Sequence, residues 1–309
     1  MRIALLTNNV FPPREGIARH VLETALRLEA RGFAPTILAR GDGTAWRQGE
    51  IQGIPLRHYP YLPVRPFHHT LSGIMLQRWL DDGAEGAELL HVHLPLLPPL
   101  TADLPVVVTV HSPLLADTGA IAEPGLKSAA IRLNARLVSR RFEQRWLDRA
   151  DAILAVSAGV RNELTRHYRL HGRHVGLVGN GVDAGFFGSV PRAPEPVVLY
   201  VGRLGYRKGL FRLLDAFARV ETSLAERLVL VGEGPLARDL QAHAGGLGIA
   251  RRVTFAGFGD RETVRSWLAR AACFVNPADY ESGPLTLLEA MAAGTPVVTT
   301  RTGLVAELG

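Results

Sequence analysis

The sequence predicts an α/β chain of two successive Rossmann-like domains whose parallel sheets face a central cleft. Two observations predict the sheets and a third divides them. Short β-branched runs alternate with longer amphipathic segments, the pattern of parallel sheets flanked by helices. That alternation restarts midway along the chain. Between the two stretches lies 189–196, with three prolines in eight residues and no apolar periodicity, which is linker composition. The expected division is 1–188, a linker at 189–196, and 197–309.

In the first stretch, Ile3–Leu6 is an apolar run cut by Asn8-Asn9, so it reads as a buried first strand rather than a leader peptide. Pro12-Pro13 makes Phe11–Gly16 a loop, and Gly16–Arg31 follows at helical spacing. Ala34–Leu38, Leu89–His93, Val106–Val110, Ala152–Val156 and His174–Val178 read as further strands. Lys127–Arg149 and Ala158–Tyr168 read as helices. After the linker come strand Val197–Val201, helix Leu210–Val220, strand Leu228–Val231, helix Leu236–Ala244 and strand Val253–Phe255. Helix Arg261–Arg270, strand Cys273–Val275, helix Leu285–Ala293 and strand Pro296–Thr299 complete the series. Gly303–Glu307 opens what reads as one more helix, so the second domain is expected to be incomplete.

Composition narrows the function. The 309 residues are 47% hydrophobic and 21% charged, ordinary for a globular chain. The single cysteine, Cys273, sits in an apolar run and is expected as a buried thiol in a reducing compartment. No stretch reaches the roughly 18 apolar residues of a membrane span, so the expected location is the cytoplasm, with peripheral contact at the inner membrane face. The +6 formal charge is concentrated at 127–149, where Lys127, Arg132, Arg136, Arg140, Arg141, Arg145 and Arg149 outnumber Glu143 and Asp148. Ile131, Leu133, Leu137, Val138, Phe142, Trp146 and Leu147 recur among them at helical spacing. This basic amphipathic helix is either a solvated face or an attraction for anionic lipid or a phosphorylated acceptor. No nucleic-acid motif accompanies the charge, so nucleic acid is excluded as a partner.

Open α/β sheets bind ligands at strand-to-helix loops. The loop Gly202-Arg203-Leu204-Gly205-Tyr206-Arg207-Lys208-Gly209 follows one strand and carries three cations among three glycines, a pattern suited to a diphosphate. A second loop, Asp279–Pro284, places Glu281 before a helix holding Glu289. The N–H groups of Gly283, Leu285 and Thr286 form an anion site by geometry and dipole. Glu289 interrupts an apolar helix and requires polar partners if buried.

These two loops, with Gly232-Glu233-Gly234-Pro235, Val253-Thr254-Phe255-Ala256-Gly257, Thr109-Val110-His111-Ser112 and Asn180-Gly181-Val182-Asp183, resemble the family 4 retaining glycosyltransferases of GT-B fold. Gly16 with His20-Val21 fits the same pattern, and the motifs run in the expected order from residue 1 to 309. The resemblance implies that Arg203 and Lys208 clamp the donor diphosphate, Glu289 holds the nucleotide ribose and Glu281 contacts the transferred sugar. It places His111 near the reacting sugar, Gly16 at the loop facing diphosphate and acceptor, and the base near Gly257 and Phe258, mainly on backbone. The donor is then a UDP-, GDP- or other nucleoside-diphosphate sugar, and the acceptor a glycan or lipid-linked molecule. No separate cofactor and no metal is implied. Two positions depart from the pattern. Glu15-Gly16 stands where two glycines are common, and Gly283-Pro284 stands where phenylalanine and glycine usually follow Glu281-Ser282.

Other readings are weaker. Gly232-x-Gly234-x-x-Ala237 matches a dinucleotide fingerprint on paper, but it follows the second strand after the linker and has no ribose-binding acid beyond it. His91-x-His93 puts two imidazoles on one strand face, yet no third ligand stands at a motif-like spacing, so a polar strand end is expected. A non-catalytic nucleotide-sugar-binding relative and a sugar-nucleotide epimerase remain as alternatives. The acceptor pocket is expected around Tyr59–Thr70 and Leu114–Lys127, whose sequence carries no readable motif.

Overall fold

In the computed structural model, residues 1–64, 68–121, 125–303 and 305 are described. The chain divides into two compact units, the first of Met1–Gly119 and Leu126–Gly179, the second from Asn180 onward.

The first unit runs β1 (Arg2–Thr7), α1 (Gly16–Glu29), β2 (Ala34–Arg40), β3 (Arg47–Ile51), β4 (Ile54–Tyr59), α2 (His68–Asp81), β5 (Leu89–Leu94) and β6 (Val106–Val110). It continues through α3 (Leu114–Gly119), α4 (Leu126–Asn134), α5 (Arg140–Arg149), β7 (Ala152–Ala155), α6 (Ala158–His167) and β8 (Val175–Leu177). The sheet order is β3-β4-β2-β1-β5-β6-β7-β8, and every pairing is parallel except β3 with β4. Helices cover both faces. Ile3 and Leu5 pack with Val21, Leu22 and Ala25 of α1, whereas Ala4 and Leu6 pack in the core that holds Trp146 and Leu147 of α5. Burial on both faces is why these strands read as unbroken apolar runs.

Sequence periodicity did not identify the β3–β4 hairpin or α2. The hairpin turns through Gln52 and Gly53, both at positive φ (52° and 85°), the two-residue geometry that matches strand twist. It adds an antiparallel edge to the expected parallel sheet. The basic segment is a helix throughout, with a π-helical turn at Ala135–Ser139 joining α4 to α5. Its apolar residues divide: Trp146 and Leu147 are buried, whereas Leu126, Ile131, Leu133, Leu137 and Val138 are exposed. Glu143, expected among the surface charges, is buried.

The second unit runs α7 (Ala184–Phe187), β9 (Glu195–Val201), α8 (Leu210–Phe217), β10 (Arg227–Val231), α9 (Ala237–Gly246), β11 (Val253–Gly257), α10 (Arg261–Arg270), β12 (Ala271–Asn276), α11 (Leu285–Ala292) and β13 (Val297–Thr299). Its sheet is wholly parallel, in the order β11-β10-β9-β12-β13. Strand order reverses between β9 and β12, the switch point at which such sheets open a ligand crevice.

The compact units part after Gly179, ahead of the expected linker. Asp183 already holds Arg261 of α10 at 3.0 Å, and Phe187 is buried in the second unit's core. The proline-rich segment is docked as well. The Arg192 guanidinium donates to the carbonyls of Leu268 and Ala271 and to the Thr295 hydroxyl, and the Ala193 amide donates to the Ala269 carbonyl. Prolines remove backbone donors but do not prevent a neighbouring side chain from anchoring the segment. Cys273 lies half-buried on β12, and that burial pushes its thiol pKa up. Of the acceptor regions expected from sequence, 65–67 and 122–124 lie outside the described residues, as do 304 and 306–309 of the expected last helix.

Candidate functional site

The first loop of interest leaves β9 at the switch point of the second unit. Gly202 and Gly232 pack backbone to backbone: a Cβ on Gly232 would stand 1.9 Å from the Gly202 carbonyl oxygen, and one on Gly234 would stand 2.2 Å from that of Leu204. The Gly202 amide donates to the Val231 carbonyl, and the Leu204 amide donates to that of Glu233. The dinucleotide-like glycines therefore serve the close approach of two loops. Gly209, at φ +64°, is the N-cap of α8, and a Cβ there would stand 2.0 Å from the Pro277 carbonyl oxygen.

The second loop leaves β12 and is tied to the first. The Asp279 amide donates to the Arg207 carbonyl at 2.8 Å, and Arg212 reaches the Asp279 carboxylate at 2.6 Å and the Pro277 carbonyl at 3.1 Å. Lys208 forms an ion pair with Glu281, both side chains being mostly buried. Sequence reasoning assigned these two to different parts of a donor; the structure brings them into direct contact.

Helix α11 begins just beyond. Pro284, the last residue of the loop, is its N-cap, with extended backbone and no side-chain cap, and the first turn holds no acidic residue. The Leu285 and Thr286 amides thus lie at an uncapped positive helix end. The Asn180 side-chain amide donates to the Gly283 carbonyl at 2.6 Å, fixing the entry to the helix. Glu289 sits half-buried within α11, and Arg203 is exposed on the β9–α8 loop. Gly257 closes β11 at φ +72°, its carbonyl accepting from the Gly232 amide, and Phe258 beside it is 46% exposed.

In the first unit, His111 follows β6 and is buried; its Nε2 stands 3.1 Å from Nδ1 of His93. His20 on α1 places its ring 4.6 Å from that of His111. His91 contacts the Thr109 hydroxyl at 2.8 Å. Burial holds His93 and His111 well below the usual imidazole range and His91 at about 4, so all three are neutral at pH 7. The polar strand end expected at His91 and His93 is part of a larger imidazole cluster. Gly16 is the first residue of α1, whose N-cap Glu15 makes no side-chain cap. The Glu15 carboxylate instead accepts from the Asn9 side-chain amide at 3.1 Å.

Glu143 is a buried group that sequence reasoning missed. Its carboxyl accepts from the Leu114 amide at 3.2 Å and from the Tyr168 hydroxyl, tying α5 to the start of α3. Desolvation raises its pKa to about 8. The signal available was the single acid on an apolar heptad face beside Trp146 and Leu147.

Comparison with known proteins identifies the family. Residues 14–186 match glycosyltransferase family 4, and residues 184–308 match the glycosyl transferases group 1 family. The chain is 31% identical over 247 residues to a glycogen synthase of Mycobacterium tuberculosis, covering 76% of this chain and 57% of that protein. It is 28% identical over 323 residues to a phosphatidyl-myo-inositol mannosyltransferase of Propionibacterium freudenreichii, covering 96% of this chain and 76% of the relative. The chain thus spans little more than half the length of the first relative and about three quarters of the second. Among solved structures, sucrose-phosphate synthase from Thermosynechococcus elongatus superposes with a TM-score of 0.78 at 22% identity, over 98% of this chain and 82% of that one, a likeness of fold. With a family match over more than half its residues and two Rossmann-like units of GT-B type, the chain belongs to glycosyltransferase family 4.

Proposed function

We propose that the chain transfers a sugar from a nucleoside-diphosphate sugar to a glycan or lipid-linked acceptor, with retention at the anomeric carbon. The observation that carries this reading is the joining of two loops at the β9/β12 switch point: one with Arg203, Arg207 and Lys208, the other ending at the uncapped first turn of α11. Cations and helix-end amides carried by two adjoining loops suit a diphosphate leaving group.

In the proposed reaction the bond from the anomeric carbon to the diphosphate oxygen breaks, and negative charge grows on the phosphates. Arg203, Lys208 and the Leu285 and Thr286 amides stabilise that charge, and single preorganised donors of this kind contribute about 2.7–4 kcal/mol. The acceptor hydroxyl attacks from the face the leaving group departs, and its proton passes to the leaving phosphate oxygen. Glu289 holds the ribose, and Gly257 and Phe258 flank the base. The family resemblance assigns Gly16 to the phosphates and His111 to the sugar. Glu281 serves the donor by a route the Lys208 pair makes specific: as the diphosphate draws Lys208 away, the carboxylate is released to a sugar hydroxyl.

The exposed apolar and basic faces of α4 and the π-helical turn support a lipid-linked acceptor presented at an anionic membrane surface, with the helix lying in the interface. Among the described residues no helix is long and apolar enough to cross a membrane.

Thermal stabilisation across a panel of nucleotide sugars tests the donor site. A rise in Tm with one nucleoside-diphosphate sugar, followed by release of the free nucleoside diphosphate, is expected. Absence of stabilisation by every member would overturn the reading. Interconversion of sugars would favour an epimerase, and binding without any turnover a non-catalytic relative.

A further inference from the structure

The fold assembles three imidazoles that lie far apart in sequence: His20 from α1, His93 from the end of β5 and His111 just after β6. One ring nitrogen from each lies within 4.8 Å of the others. His93 and His111 are buried and His20 is half-buried, so the cluster opens on the His20 side.

The cluster is not satisfied by its own hydrogen bonds. His93 places Nδ1 against His111, while its buried Nε2 has no hydrogen-bond partner among the described residues. Unsatisfied buried polar atoms are rare enough in folded proteins to require a reason. A neutral imidazole carries one in-plane lone pair beside its N–H, the form in which histidine ligates a metal. Three nitrogen donors with one side open match the donor set of a tetrahedral zinc site that keeps a fourth position for water.

We propose that His20, His93 and His111 form a binding site for a borderline-soft divalent cation, zinc being the best match. Zinc–imidazole bonds of about 2.0–2.1 Å need the donor atoms closer together than 4.8 Å. His20, half-buried where His93 and His111 are buried, is the ligand expected to make that adjustment. Occupancy would also engage His111, so zinc is expected to inhibit sugar transfer. That consequence rests on the proposed function; the binding itself does not.

The test is calorimetric titration of the chelator-treated chain with zinc chloride, without nucleotide. Cobalt chloride in parallel should give the visible absorption of a tetrahedral nitrogen site. One equivalent is expected to bind and to raise Tm. His20→Ala should weaken binding by more than roughly tenfold, and His93→Gln should do the same. His171→Ala, on an exposed side chain paired with Asp148, should leave it unchanged. Because His93 is buried, His20→Ala is the deciding variant, its fold checked by circular dichroism. No binding by the wild-type chain, or binding that His20→Ala leaves unaltered, would overturn the proposal. Nucleotide stabilisation is read separately, so the two proposals can fail independently.

Discussion

Lys208 and Glu281 stand 73 residues apart and form one largely buried ion pair that joins the β9–α8 loop to the β12–α11 loop. Lys208 cannot serve a diphosphate without this bond weakening. Removing one partner leaves the other charge in a poorly hydrated place. Lys208→Ala is therefore expected to lower stability by about 2 kcal/mol, less than for a fully buried pair because both groups keep some solvent. Nucleotide affinity should fall as well. A double-mutant cycle with Glu281→Ala, read by urea denaturation, should show strong coupling; additive losses would mean that the pair contributes little.

Glu289→Ala separates donor binding from folding. The side chain is half-buried on α11, and alanine suits a helix interior. Tm is expected to stay near the wild-type value while calorimetric affinity for the preferred nucleoside diphosphate drops by about tenfold or more, the loss of a charged hydrogen bond. Unchanged affinity would remove Glu289 from the site.

Gly209→Ala tests the loop geometry. The new methyl would meet the Pro277 carbonyl at 2.0 Å in a left-handed conformation, so the two loops must separate. A cost of about 1–3 kcal/mol is expected, of the size of local backbone strain, together with lost nucleotide binding. A variant of wild-type stability and affinity would show the loop contact to be dispensable.

Glu143 makes stability depend on pH with a definite sign. Its carboxyl has a pKa of about 8 in the fold against 4.5 ordinarily, so the folded state binds the extra proton between those values. Stability should decline as pH rises from about 4.5 to 8 and level off beyond. Glu143→Gln keeps the neutral form at every pH, so its stability relative to wild type should improve across that window. Parallel curves for the two proteins would contradict the shift. The histidines contribute equally to both and cancel in the difference.

Leu133→Glu with Leu137→Glu probes the membrane surface. Both side chains are more than half exposed, so the fold should tolerate the change. Co-sedimentation with vesicles rich in anionic lipid is expected to fall severalfold, and with neutral vesicles to remain low throughout. Equal sedimentation of variant and wild type would exclude this face from lipid contact.

Local pattern determined most of the framework. Apolar runs buried on both faces announced β1, β5, β6 and β9, and helical spacing announced α1, α8 and α10, because each signal lies within one element. The loops at 202–209 and 279–284 were legible for the same reason: glycine, proline and charge occur there between a strand and a helix. The β3–β4 hairpin escaped because its edge strand is polar and exposed, with only Gln52-Gly53 to mark the turn.

What only the tertiary structure decided is who meets whom. Lys208 chose Glu281, Glu143 turned inward to Tyr168 and the Leu114 amide, and His20 joined His93 and His111. A charged or aromatic side chain settles among competing partners delivered by strand order, and strand order is a long-range property that periodicity does not encode. The amino-acid sequence thus specified which groups exist and on which kind of element they ride. Sheet topology specified which of them share a desolvated space, where burial makes an imidazole neutral and a carboxyl reluctant to ionise.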